Sequence, residues 1–248
     1  MRAPEAEAEE SYFVSMTDML VGLIFIFIIL LMYFALSFKE TTEVLLGADE
    51  VRDQILQELE RDLKDQGVQV SLDLDTGVLR LPNEILFNKG DEAPTPEGDR
   101  ALGILAEALM GVLPCYTFSV DTAKPGACMA TEHSIEALFI EGHTDSDKIS
   151  GGVRIRDNWD LSVARATSTY RSIIAAEPDL ETLESGDASS RSAQSILSVA
   201  GYSDRRPIAK GDDEQAKSQN RRIDLRLVMR SPRPAEQDNI EDTLDANR

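Results

Sequence analysis

The sequence predicts a membrane-anchored α+β protein: one N-terminal transmembrane helix, a linker helix, then a small mixed sheet with helices on one face. Three observations lead to this. Met19 to Leu36 (MLVGLIFIFIILLMYFAL) is an unbroken apolar run. The stretch after it carries apolar residues at helical spacing, and from Val68 the period changes to two, after which strands and helices alternate. These shifts set the expected boundaries: an N-terminal tail over 1–11, a transmembrane helix over 12–38, a linker helix over 39–66, a sheet-bearing domain over 67–230 and a disordered tail over 231–248.

At roughly 1.5 Å per residue the apolar run covers about 27 Å, and its uncharged flanks extend it across a hydrocarbon core of about 30 Å. A cleaved signal peptide is the competing reading, with Ala35-Leu36-Ser37 as its cleavage site. The acidic residues before the run, Glu5, Glu7, Glu9 and Glu10, and the length of the apolar core favour an uncleaved anchor. Asp18 is the only charged residue between Ser11 and Phe38. A carboxylate at the membrane centre costs about 2.5–3.5 kcal/mol, less near the interface, so a chain that places one there usually uses it. Ser11, Ser15, Asp18 and Gly22 fall in one helical stripe roughly 60° wide, opposite Val14, Val21, Ile24, Phe25 and Ile28. A small, polar stripe suits helix contact and a wet niche for an ion-carrying acid. The alternative is that Asp18 only caps the helix at the headgroup level. One span cannot enclose an ion path, so the rest must come from copies of this chain or from a multi-span partner.

Lys39 to Gln66 places Val44, Ala48, Val51, Ile55, Leu59 and Leu63 on one stripe, which suits pairing with a second copy or packing on the chain's own domain, and Gly67 ends it. Val68, Val70, Leu72 and Leu74 alternate with polar residues, and Asp75-Thr76-Gly77 turns the chain into Val78 to Leu81, a hairpin by pattern. A Pro, Gly and acid-rich loop from Asn88 to Gly98 leads to a helix from Asp99 to Leu113, stopped by Pro114. A strand from Ile135 to Glu141, a helix from Trp159 to Ala176, and strands Ser195 to Ala200 and Arg222 to Val228 follow. Cys115 and Cys128 are disulfide candidates; a bond between them would close a short loop in an oxidising compartment, while buried thiols or a bridge between copies are the alternatives. Glu177 to Gln194, rich in Ser, Asp and Glu, reads as a flexible loop.

The chain has 248 residues and a formal charge of −20, which accommodates one membrane helix and one domain of ordinary size. It lacks a basic stripe with interleaved aromatics, so no nucleic-acid partner is expected and the acid excess reads as solubility. The two histidines come with no cysteine–histidine cluster, so no metal or cofactor is expected and His143 reads as a packed or hydrogen-bonding residue. No nucleophile motif or zinc set points to an enzyme, which leaves a wall hydrolase as the weakest class.

Four ordered blocks carry a resemblance: Phe139-Ile140-Glu141-Gly142-His143-Thr144-Asp145, then Asn158-Trp159-Asp160-Leu161-Ser162-Val163-Ala164-Arg165-Ala166, then Gly201-Tyr202-Ser203-Asp204, and Asn220-Arg221-Arg222-Ile223. Together they resemble the OmpA-like peptidoglycan-binding domain over about Val68 to Arg230. The resemblance implies that Asp145 and Arg165 grip the two ends of a diaminopimelate, with Thr144, Asn158, Leu161 and Arg222 around them. The chemistry suits a zwitterion: a carboxylate pairs with an ammonium, and a guanidinium fork takes a carboxylate. The stretch Ser146 to Asp157 is longer than that family's pattern and bears on the pocket's shape. Joined to a single span with an acid at its start, the domain looks like the B subunit of a rotary stator, the class that includes flagellar MotB. The run Phe13 to Phe27, the acidic N-terminus and the Asn-Trp-Asp-Leu-Ser block are similar to the B subunit of the Zorya anti-phage defence system.

That resemblance implies a bacterial inner-membrane protein with its N-terminus cytoplasmic and its C-terminal domain periplasmic. It implies two copies of this chain inside five multi-span A-type subunits, Asp18 as carrier of a proton, or of sodium, and Ser15, Thr17 and Gly22 as support for the ion path. A flagellar-type stator subunit, or a static wall tether without ion transport, are the other readings.

Overall fold

In a computed structural model the chain is described over residues 4–118, 128, 133–149, 154–185 and 194–230; in the first helix the side chains described are those of 16–39, 42 and 47–65. The expected tail 231–248 lies outside the described residues, as do 150–153 and 186–193. The chain divides into two compact units, Met1–Leu46 and Gly47–Arg248.

The first unit is helical. Helix α1 runs from Pro4 to Asp65, and its stretch Met16–Lys39 is long and apolar enough to cross a membrane, with a mean hydropathy of 3.0 and none of it buried. Thr17 and Asp18 are exposed, and the space beside Gly22 is open for 4 Å. The side chain of Ser15 lies outside the described residues. Because α1 begins at Pro4, Asp18 sits well inside the helix.

In the second unit the remainder of α1 is spent on the domain's own core. Ala48, Ile55, Leu59 and Leu63 of the expected stripe are buried, with Leu56 beside them, and Val51 packs against the same cluster. Of the two uses open to this stripe, the chain takes packing on its own domain, and the unit boundary falls at 46/47 where the sequence suggested 66/67. Gly67, at φ +83°, makes the turn that ends the helix.

The expected hairpin forms from β1 (Ser71–Asp73) and β2 (Val78–Pro82), paired antiparallel with Leu72 opposite Leu79. A short helix α2 (Asn83–Leu86) follows, then α3 (Pro96–Val112). Helix α3 begins three residues ahead of the expected Asp99, because Thr95 caps it by accepting from the Gly98 N–H and Pro96 is preformed for a first turn. Strand β3 (Ile135–His143) leads to α4 (Asn158–Ala176), whose cap Asp157 accepts from the N–H groups of Trp159 and Asp160.

The Glu177–Gln194 stretch corrects the expectation of a flexible loop in its described part. It holds a 3₁₀ turn (Pro178–Thr182) and strand β4 (Glu184–Ser185), which pairs with β5 (Gln194–Ser195). Leu180, Leu183 and Ile196 are buried in the core, which is what holds this polar segment in place. Strand β6 (Leu197–Gly201), an unforeseen helix α5 (Glu214–Asn220) and β7 (Arg222–Met229) complete the order.

Five strands form one mixed sheet in the order β1-β2-β7-β3-β6, with β6 parallel to β3 and the other pairs antiparallel. Alternation divides its residues. Leu79, Leu81, Ile223, Leu225, Leu138 and Ile140 enter the apolar core with α3, while Arg80, Asp224 and Glu141 stand in register on the other side.

Helix α4 packs on β3 and β6 through two glycines. A Cβ on Gly142 would lie 2.0 Å from the Ser162 carbonyl oxygen, and one on Gly201 would lie 2.5 Å from Val163 Cγ2. Both glycines therefore serve close helix–strand approach.

Cys115 and Cys128 are bonded to each other within the chain. Two outcomes are expected. Gly142→Ala should lower the unfolding free energy by about 1–3 kcal/mol or more, seen as a lower thermal midpoint, and an unchanged midpoint would refute the close-approach account. Reduction of the disulfide should cost about 3 kcal/mol, read as an earlier denaturant midpoint in reductant.

Candidate functional site

The close seat of α4 brings its first turn against the end of β3. There Asp145 is 7% exposed. Its Oδ2 accepts from Arg221 Nη1 at 2.8 Å and its Oδ1 from the Asp147 N–H at 3.1 Å. Asn158 fixes the backbone around it, donating from Nδ2 to the carbonyls of Asp145 and Asp147 at 3.1 and 3.0 Å. The Asn158 Oδ1 is buried with no hydrogen-bond partner among the described residues. Thr144 is buried too; its N–H donates to the Ser203 carbonyl and its Oγ1 to the Asp145 carbonyl.

Arg165 lies two turns along α4 and is 2% exposed. Its Nε donates to the Asp91 carbonyl at 2.8 Å, one Nη donates to the Asn88 carbonyl at 3.1 Å, and the guanidinium lies 5.3 Å from the Phe87 ring centroid. The loop after α2 thus cradles it with carbonyls. Burial pulls the Arg165 pKa down to about 10, with the Asp145 charge acting against that loss. The group stays a cation at neutral pH. Leu161, 2% exposed, packs into the interior and positions the helix.

Two expectations change here. Arg222 does not stand free for a ligand: its Nε donates to both Asp224 carboxylate oxygens at 3.1 and 3.0 Å, and its Nη atoms to the carbonyls of Asn220 and Arg206. Its neighbour Arg221 is the guanidinium on Asp145, and it also binds Glu214 at 2.7 Å and Glu84 at 3.2 Å. Burial alone would lower the Arg221 pKa, but the hydrogen bonds it donates to Asp145, Glu214 and Glu84 outweigh it and raise it. The resemblance pointed to Arg222 at this place, but adjacent residues at a strand's start point to opposite sides, and it is Arg221 that reaches Asp145. The carbonyls that hold Arg165 had no sequence signal. Lys217 of α5, also missed, binds Asp147 at 2.6 Å and holds that carboxyl below its ordinary pKa.

The rim is tied by ion pairs. Arg154 from the Ser146–Asp157 stretch meets Glu92 at 2.7 Å, and Arg156 forks onto Asp160. Arg154 thus ties the described end of that stretch to the loop that cradles Arg165. Asp145, Arg221 and Arg165 place an anion and two cations within one small region, and a ligand bearing an ammonium and a carboxylate would bind them by exchanging with the partners they now hold.

A second cluster lies on the sheet. Glu141, His143 and Asp224 are buried, with donor atoms within 4.8 Å of one another, a spacing compatible with a metal ion. His143 Nε2 stands 3.5 Å from Asp224 and 3.9 Å from Glu141, and neither ring nitrogen has a hydrogen-bond partner among the described residues. Each carboxylate, however, already takes an arginine fork: Arg226 on Glu141 at 2.9 and 3.0 Å, and Arg222 on Asp224. Three arginines in this ladder, Arg80, Arg222 and Arg226, oppose a further cation. The ladder is built as a set of buried ion pairs, with the His143 ring stacked on Tyr202.

No protein-family model matches the chain. Motility protein B of Bacillus subtilis (strain 168) is 28% identical over 93 residues, which is 38% of this chain and 30% of that protein. The match therefore spans less than a third of that relative's length. The crystal structure of a MotB-like protein from Desulfovibrio vulgaris aligns with a TM-score of 0.52 at 22% identity, covering 74% of this chain and 98% of that one. Its fold is the one found here. The T6SS cell wall anchor from Pseudomonas aeruginosa aligns at 0.45 and 22% identity, covering 72% and 97%.

Arg222→Ala should destabilise the domain by about 3–5 kcal/mol, because it strands Asp224 without its fork; a loss under 1 kcal/mol in denaturant melts would contradict the ladder. For pH, Arg226 and His143 outweigh burial and hold Glu141 at about 2, below its ordinary 4.5. A depressed acid stabilises the fold fully above its unfolded value, and that contribution is lost as pH falls from about 4.5 toward about 2. Asp224, raised by burial, acts in the opposite sense. Comparing Glu141→Gln with the native chain isolates Glu141: the variant should lose less stability over that window, and parallel curves would refute the assignment.

Proposed function

We propose that this chain is the wall-anchored B-type subunit of an ion-driven rotary motor of the bacterial inner membrane, in a Zorya-type anti-phage defence system. The observation that carries the reading is the pairing, on one chain, of a membrane-length helix holding a lone carboxylate with a domain whose buried Asp145, Arg221 and Arg165 suit a zwitterionic wall peptide. The N-terminus lies in the cytoplasm and the sheet domain in the periplasm, a compartment in which the Cys115–Cys128 bond persists.

Two copies inside a ring of five multi-span A-type subunits complete the ion path. Asp18, with Ser15, Thr17 and Gly22 beside it, takes up a proton, sodium being the other candidate ion. Neutralisation removes the cost of carrying a charge through a low-dielectric path, and release on the far side restores it. Each elementary charge moved supplies about 2.3 kcal/mol per 100 mV, the source of torque. The Asp145 site holds the pair against peptidoglycan, so that the ring turns around it. The role assigned to the chain is anchoring and ion carriage, with no bond-making step of its own.

A flagellar-type stator subunit shares this physics, and the 93-residue likeness to motility protein B supports that second reading. Genes for a nuclease or helicase beside this one favour defence; flagellar neighbours favour motility. A static tether differs at Asp18 alone. With the multi-span partner co-expressed, Asp18→Asn should abolish inward proton flux, followed with an intracellular pH dye, while insertion and assembly persist. Unchanged flux and function in the variant would leave the tether.

A further inference from the structure

Trp159 is the chain's single tryptophan. It is 46% exposed, and among the described residues of the second unit it is the one aromatic side chain that stands open to solvent. The neighbouring Tyr202 cannot play that part. His143 stacks on it with centroids 5.4 Å apart, and the Arg206 guanidinium lies 3.7 Å from its centroid.

The indole is held on a rigid base. Its N–H on the backbone donates to the Asp157 Oδ1 at 2.9 Å, and its carbonyl accepts from Ser162 Oγ at 2.9 Å. The Arg156 fork on Asp160 braces the same turn. Val163, one turn on and also 46% exposed, lies against Gly201 and continues the apolar strip. The residue before Trp159 is Asn158, whose amide is 3.1 Å from the Asp145 carbonyl. An exposed aromatic therefore stands on a turn whose backbone is fixed, one residue along the chain from Asn158 of the charged site.

We propose that Trp159 is a stacking platform for the saccharide backbone of the wall polymer, next to the site that takes its peptide; this rests on the peptidoglycan-binding reading. A pyranose has a face of C–H groups that fits the electron-rich face of an indole, while its hydroxyls stay at the rim in water. Tryptophan on a rigid turn loses little freedom on binding, which is why it dominates many interfaces.

The test uses the full chain in detergent and three probes: purified sacculi, a disaccharide muropeptide, and the same stem peptide without sugar. Trp159→Ala should weaken muropeptide binding roughly ten-fold, a change of about 1.4 kcal/mol, and lower retention on sacculi, with affinity for the free peptide unchanged. Trp159→Phe should keep most of the muropeptide affinity. Equal muropeptide affinity in Trp159→Ala, or an equal loss on the free peptide, would overturn the platform. Failure of the native chain to bind the free peptide would instead overturn the wall-binding reading beneath it.

Discussion

Everything at the candidate site depends on how closely α4 lies on the sheet. With no side chain at Gly142 or Gly201, the helix backbone settles onto β3 and β6, and the Ser162 Oγ accepts from the Ser203 N–H. That contact fixes Asn158 over the end of β3 and aims Arg165 into the loop after α2. A helix lifted by one methyl thickness would break the Asn158 bonds to the Asp145 and Asp147 carbonyls and withdraw Arg165 from Asp91. Packing here sets the electrostatics.

Burial then sharpens the charges. Arg165 is almost wholly enclosed, yet it keeps carbonyl partners and the nearby Asp145 charge, so it stays a cation at a cost shared by the surrounding fold. The ladder of Arg80, Asp224, Arg222, Glu141 and Arg226 plays a different part. Its charges pair across three strands, and removing one member leaves a buried charge uncompensated. The two clusters meet at the start of β7, where Arg222 belongs to the ladder and Arg221 to the site.

Much of this was legible in the residues. The alternation at Val68 to Leu81 and the Leu-Ser-Val-Ala-Arg run of α4 gave the hairpin and the helix because period and capping are local properties. The destination of the Ala48 to Leu63 stripe was not legible, since a stripe that suits a second copy suits the domain's own core equally well. Helix α5 is short and polar, and its place depends on Ala216 burial and the Asp213 cap rather than on periodicity. The resemblance pointed to Arg222 for the site; the strand's alternation and the partners Asp145 and Asp224 give that place to Arg221 instead. The carbonyls around Arg165 belong to a loop, where side-chain identity carries no signal.

The proposed function pairs the Asp18 helix with the Asp145 site, and the proposed anchoring rests on that site. Its most direct test is co-sedimentation of the full-length protein with purified sacculi, comparing the native chain with Asp145→Asn, which is close to isosteric and leaves Arg221 with Glu84 and Glu214. The account predicts that the native chain pellets with the wall and that Asp145→Asn, with its fold intact by circular dichroism, stays in the supernatant. Equal amounts of both in the pellet would contradict it.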